Sequence, residues 1–265
     1  MGYQICNRCV MDTSDLEIQF DHLGNCNHCN NYFNNFTKLQ YHRETSDKII
    51  RDLVKKIKDT GRGRQYDCLI GVSGGVDSSY AAFLVKELGL RPLAVHMDNG
   101  WNSELAQNNI KNLVDKLGVD LFTYVIDWEE YRELMNAFFR ADVVDVELLY
   151  DNAMLAVNYK LARQHKIKYI LAGTNHVTEG VPMPSNWNWF KYDKKQIKYF
   201  SKSTFLKSIK TFPAIGTLDY IYYRFFKKIN WIHFLDYLDF NKEDALVELE
   251  KKYGYKRYPY KHYES

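Results

Sequence analysis

Apolar positions along this chain follow two alternating rhythms. Short, nearly unbroken apolar runs occur at 66–70, 92–97, 122–126 and 169–175. Bounded by turn-forming residues and only a few residues long, they predict buried strands. Between them, apolar residues recur every three or four positions, which predicts helices. Ser46 can cap a helix over 47–59 with Ile49, Ile50, Leu53, Val54 and Ile57 on one face, ended by Gly61-Arg62-Gly63. Further helices are predicted over 80–88, 103–117, 128–140 and 146–165, the first closed by Gly89 and the second by Gly118. Strands alternating with helices imply an α/β fold, a parallel sheet with helices on both faces. In such sheets ligands sit at the carboxyl ends of the strands. That rim carries Ser73, then His96-Met97-Asp98, then Gly173-Thr174-Asn175.

The chemistry begins at the first strand's end, with Gly71-Val72-Ser73-Gly74-Gly75-Val76-Asp77-Ser78-Ser79. Adjacent glycines permit positive φ and turn successive N–H groups toward one point. The helix that follows adds its unpaired N–H groups and positive dipole end. Ser73, Ser78 and Ser79 add hydroxyls, so the stretch reads as a phosphate site. It lacks the lysine of a Walker loop and the three spaced glycines of a dinucleotide fingerprint. Asp77 is either a helix cap or, since a carboxylate beside polyphosphate is repulsive unless a cation bridges them, a magnesium ligand. Ser-Gly-Gly-x-Asp-Ser resembles the PP-loop of the ATP pyrophosphatases (adenine nucleotide α-hydrolase-like proteins). That resemblance implies ATP bound through Ser73, Gly74, Gly75, Val76, Asp77, Ser78 and Ser79, its α-phosphorus open to attack. It further implies Met97 and Asp98 near adenine and ribose, and Gly173 and Thr174 beside the nucleotide.

Cys6-Asn7-Arg8-Cys9 and Cys26-Asn27-His28-Cys29 have the spacing of a four-cysteine zinc site. Four thiolates close a tetrahedron, so the reading is a structural zinc-ribbon-like knuckle, although thiolates also hold iron–sulfur clusters. Cys68, the fifth cysteine, falls in an apolar strand. This cysteine usage fits a reducing cytoplasm. No apolar run approaches the roughly 20 residues of a membrane helix, and the N-terminus has no signal-peptide core.

The net charge of +3 conceals an asymmetry. Residues 181–265 hold 16 Lys and Arg against 9 Asp and Glu, and 22 of the 41 aromatic residues. Such a surface suits an anionic sugar nucleotide, a nucleic acid or a partner protein. Within it, 181–190 is a proline-punctuated loop whose indoles either stack on a sugar or base or staple the loop to the domain. Asn241 is predicted to cap a helix over 242–253, ended by Gly254. The expected organisation is thus a zinc-binding segment at 1–43, an ATP-binding α/β domain at 44–180 and a substrate or partner region at 181–265.

Three features in this order resemble one family in particular: Cys-x-x-Cys-Val-Met with its second Cys-x-x-Cys, Val-Ser-Gly-Gly-Val-Asp-Ser, and the terminal Lys261-His262-Tyr263-Glu264-Ser265. The chain is similar to the N-acetyl sugar amidotransferases of bacterial surface-polysaccharide (lipopolysaccharide O-antigen) synthesis. The resemblance implies conversion of an acetamido group on a nucleotide-linked or nonulosonic sugar to an acetamidine. ATP would be cleaved to AMP and pyrophosphate, and ammonia would come from separate glutaminase and cyclase-like subunits. By the same resemblance Asp77, Ser78 and Lys261 are catalytic candidates, and Asn175, Met183, Trp187, His262 and Glu264 are substrate candidates. Family members continue past the terminal segment, so a chain of this length is expected to bind ATP and turn over slowly. With four cysteines given to metal and Cys68 in a core strand, none is left to hydrolyse glutamine. A tRNA-modifying PP-loop enzyme and a non-catalytic nucleotide-binding subunit are the alternatives, although nucleic acid is not the expected partner.

Overall fold

The computed structural model describes residues 2–39, 43–175, 180–181, 183–205 and 207–259. Its centre is a parallel sheet in the order β3-β2-β1-β4-β5, built from β1 (Cys68–Gly71), β2 (Pro92–Asp98), β3 (Asp120–Val125), β4 (Tyr169–Ala172) and β5 (Asn230–His233). Leu69 pairs with both Leu93 and Ile170, so β1 is central. Alternation along the strands divides the core. Ile70, Ala94 and Leu171 face one layer, containing α2 (Arg43–Gly61), α3 (Val76–Glu87), α4 (Glu104–Leu117) and a late helix, Lys242–Tyr253. Leu69, Leu93, Val95 and Ile170 face the other, containing α5 (Trp128–Arg140), α6 (Leu148–Gln164) and α7 (Lys194–Ser201). The expected α/β architecture with helices on both faces is present.

Helix ends follow their sequence signals. Ser103 Oγ accepts the Ala106 N–H at 3.1 Å, and Gly118 closes α4 in the left-handed region. Asn241 caps Lys242–Tyr253 by accepting from Glu243 and Asp244, and Gly254 ends it at φ 66°. Two expectations shift. α2 starts at Arg43, which puts Ser46 inside its first turn rather than at its cap. A helix not anticipated, α1 (Asn27–Leu39), begins at the second cysteine pair.

The larger difference lies beyond residue 180, where the expected separate region contributes to the sheet itself. β5 pairs with β4 from Tyr169↔Asn230 to Ala172↔His233. Phe234 and Leu235 after it, and Ala245 and Leu249 of the late helix, lie in the same core layer as α3. A short helix α8 (Thr217–Ile221) runs directly into a π-helical turn, Tyr222–Phe226, ahead of β5; Lys242–Tyr253 is therefore α9. No helix among the described residues is long and apolar enough to cross a membrane.

Candidate nucleotide site and cysteine cluster

Strand order reverses between β1 and β4, and the crevice at that switch point is where an open α/β sheet takes its ligand. The loop after β1 reaches it first. Gly74 has φ +87°, and a Cβ there would stand 2.6 Å from the Ala106 carbonyl oxygen, so this position needs glycine for both conformation and space. The expected pair of positive-φ glycines reduces to this one, because Gly75 is extended at φ −76° and forms the N-cap of α3. Asp77 therefore lies inside the helix rather than at its cap, with its side chain lining the crevice.

Two hydroxyls close the loop on itself. Ser73 and Ser78 Oγ are 3.0 Å apart, the Ser73 N–H donates to Ser78 Oγ at 3.1 Å, and the Gly75 N–H donates to Ser73 Oγ at 3.3 Å. Ser73, Asp77 and Ser78 all line the crevice. Val76 is buried in the core and offers the site only its backbone N–H. Ser79, expected to donate to phosphate, is instead fully buried on the inner side of α3 and does not line the crevice.

From β4, Gly173 and Thr174 complete the wall. A Cβ on Gly173 would fall 2.7 Å from the Cα and N of Ser78, so glycine lets β4's end pack directly on the start of α3. Asn175 was an expected substrate contact. It is 1% exposed, and its Nδ2 donates to Asp77 Oδ2 at 3.4 Å and to the Gly173 carbonyl at 3.3 Å. It orients the carboxylate from behind. On the β2 side Met97 lines the crevice, whereas Asp98 Oδ1 accepts from Gly100 N–H and Asn102 Nδ2 and closes its own turn. His96 is buried, with Nδ1 2.9 Å from the Val72 carbonyl and Nε2 3.2 Å from Asn102 Nδ2. It ties β2 to the phosphate loop.

The crevice has a volume of about 270 Å³, and behind the polar rim its lining is apolar. Met97, Tyr150, Met154, Val157 and Trp231 enclose a slot suited to a flat ring system. Burial and the nearby Asp151 carboxylate push the Tyr150 hydroxyl up, so it stays neutral and a hydrogen-bond donor. The residues from α6 and β5 were not found in the sequence: Tyr150, Met154 and Val157 read there as ordinary core positions, and β5 was not recognised. At the end of β5, His233 Nδ1 is hydrogen-bonded to Thr174 Oγ1 at 2.6 Å.

The cysteine cluster is separate. The sulfurs of Cys6, Cys9, Cys26 and Cys29 all lie within 4.8 Å of one another, with Cys6–Cys29 at 3.9 Å and Cys9–Cys26 at 3.7 Å. A tetrahedron with bonds of about 2.3 Å has edges of about 3.8 Å, so the donor set fits zinc. Burial disfavours the Cys6 thiolate, but N–H groups of Arg8, Cys26 and Cys9 and the Cys26 side chain outweigh it and bring the thiol down to about 6. Cys68, in contrast, is pushed up by burial and by Asp67. The cluster packs against Val181 and Trp187, and Asp15 is hydrogen-bonded to Asn186. Trp187 is therefore a staple between the cysteine segment and the 181–189 stretch, while Met183 is 59% exposed. Lys261, His262 and Glu264 lie outside the described residues.

This chain is similar to several known proteins. The tRNA(Ile)-lysidine synthase of Chlamydia pneumoniae is 39% identical over 64 residues, which are 23% of this chain and only 20% of that relative. Among solved structures, NMN synthetase from Francisella tularensis superposes with a TM-score of 0.40 at 16% identity, covering 82% of this chain and 99% of that one. The NH3-dependent NAD synthetase from Campylobacter jejuni gives 0.40 at 14% identity, covering 79% and 93%. The family model described as NAD synthase matches residues 43–182, a span that holds β1 to β4 and the phosphate loop. That span is more than half of the 265 residues, and the chain belongs to the NAD synthase family of PP-loop ATP pyrophosphatases.

Proposed function

We propose that this protein uses ATP to convert the acetamido group of an N-acetylated, anionic sugar into an acetamidine. The observation that carries the ATP half is the placement of Ser73, Asp77 and Ser78 at the switch point, beside an apolar slot of nucleoside size. The N–H groups at the start of α3 and the two hydroxyls would hold the β- and γ-phosphates. Asp77, oriented by Asn175, fits a magnesium ion. That ion, when bound, neutralises charge on the phosphates. The sugar half is supported by the Cys-x-x-Cys-Val-Met opening, the loop sequence and the terminal Lys-His-Tyr-Glu-Ser, with Met183 presented to solvent.

An amide resists ammonia because its oxygen leaves poorly. Here the acetamido oxygen attacks the α-phosphorus and pyrophosphate departs, leaving an O-adenylyl imidate once the amide proton is lost. Ammonia adds to the imidate carbon, AMP leaves, and the acetamidine forms. The protein's contribution is positioning and charge neutralisation. Ammonia is expected from a glutaminase subunit through a cyclase-like one, since Cys68 is buried with a raised pKa and the other cysteines form the cluster.

The test is product mass spectrometry after incubation with ATP, magnesium and a panel of nucleotide-linked and nonulosonic N-acetyl sugars. Ammonium salts at raised pH should support acetamidine formation and glutamine should not; glutamine-driven turnover by the isolated chain would refute the partner requirement. A second reading, a tRNA-modifying enzyme, is favoured by the 39% identity to tRNA(Ile)-lysidine synthase. AMP release that requires tRNA and ignores sugars would establish it instead.

A further inference from the structure

Besides the Tyr150 hydroxyl, the slot beside the phosphate loop contains a side-chain amide out of keeping with its apolar walls. Asn158, on α6, is 3% exposed and lines the crevice among Met97, Met154, Val157 and Trp231. Its Nδ2 donates to the Met154 carbonyl, one turn back, at 2.8 Å. Its Oδ1 is buried and has no hydrogen-bond partner among the described residues. Turning the amide over would set Oδ1 against the Met154 carbonyl, acceptor against acceptor, so the orientation is fixed by that bond. A buried acceptor left without a donor is destabilising, and a native structure keeps one where something else supplies the donor. A water held there would be displaced by a ligand that brings the same donor together with a flat apolar face.

We propose that Asn158 Oδ1 accepts an N–H of the adenine exocyclic amine, and so selects ATP over nucleoside triphosphates without that amine. A flat heterocycle with an N–H at its edge meets both demands of the slot: apolar faces and one donor. Guanine and hypoxanthine present a 6-oxo group in the same place and would oppose acceptor to acceptor. Purine riboside triphosphate, with hydrogen at that position, would leave Oδ1 unsatisfied. This inference rests on the nucleotide reading of the crevice given above.

The experiment measures binding, independently of turnover, by calorimetric titration of ATP, ITP and purine riboside triphosphate with magnesium. The wild-type protein should prefer ATP over purine riboside triphosphate by about ten- to a hundredfold, the usual effect of removing a donor from a site built to meet it. In Asn158→Leu, close in volume and apolar, ATP and purine riboside triphosphate should bind within a factor of about two of each other. Equal wild-type affinity for the two, a comparison that needs no variant, would overturn the proposal. So would a cooperatively unfolding Asn158→Leu protein that keeps the ATP preference. If the wild-type protein binds no nucleoside triphosphate at all, the nucleotide reading fails and takes this inference with it.

Discussion

Gly173 stands where a methyl group does not fit. Its would-be Cβ meets backbone atoms of Asp77 and Ser78, and backbone cannot swing aside as a side chain can. Gly173→Ala should therefore push the start of α3 away from β4 and lower ATP cleavage roughly tenfold or more. Asp77→Asn makes the opposite test: it leaves the packing and removes the charge that fits magnesium. We expect AMP release to fall roughly a hundredfold with the unfolding midpoint unchanged; wild-type AMP release from folded Asp77→Asn would remove Asp77 from the mechanism. Asp77 stands in the loop of glycines and serines between a strand and a helix that drew the reading of a phosphate site, whereas Gly173 entered only through the resemblance to the PP-loop proteins. Ser79 and Asn175 were misjudged for a common reason. Residue type announces hydrogen-bonding capacity, but which way a side chain turns depends on helix phase and on what packs behind it. Asn158 carried no signal at all, being one asparagine in a helix whose other cues were apolar.

At the scale of elements, α5 shows a contact that periodicity does not encode. Glu130, 4% exposed, accepts backbone N–H groups from Lys210, from Thr211 at 2.8 Å and from Phe212 at 2.9 Å, together with the Thr211 hydroxyl. It pins the connection ahead of α8 to the helix. Burial works to raise its pKa, but the Thr211 hydroxyl and the three N–H groups outweigh burial and lower it. A folded-state value below the unfolded one, about 4.3, means stabilisation that is full above that pH and lost as pH falls through the lower folded value. Glu130→Gln should cost about 2 kcal/mol at neutral pH, and the gap from wild type should narrow below about pH 4. Urea midpoints of the two proteins across that range check this. A gap independent of pH would show that the carboxylate's charge is immaterial. Helices with caps at both ends, such as α4 and α9, were placed from sequence almost to the residue. β5 escaped because Asn230-Trp231-Ile232-His233 is short, begins and ends polar, and is parted from two lysines only by Ile229. Its strand character comes from β4 alongside it, which is tertiary information.

For the whole molecule, the cysteine segment is the part whose contribution can be removed from outside. It has a small core of its own and shares that core with Val181 and Trp187. We expect one zinc per chain by elemental analysis, lost in Cys29→Ser or on strong chelation, with destabilisation confined to this segment. ATP affinity should hold, while KM for the second substrate rises severalfold as the 181–189 stretch loses its support. Iron in the protein, or a metal-free protein with an intact N-terminal segment, would contradict this. The alternation of strand and helix made the overall plan readable, whereas the joining of its distant parts was not. That joining has a temporal side. β1 finds β2 across about two dozen residues, but Leu69 meets Ile170 only after about a hundred residues of chain have been brought back. Because Gly173 must dock on Ser78 before the crevice has its second wall, we expect nucleotide binding to return late in refolding, after most of the helical signal has been regained.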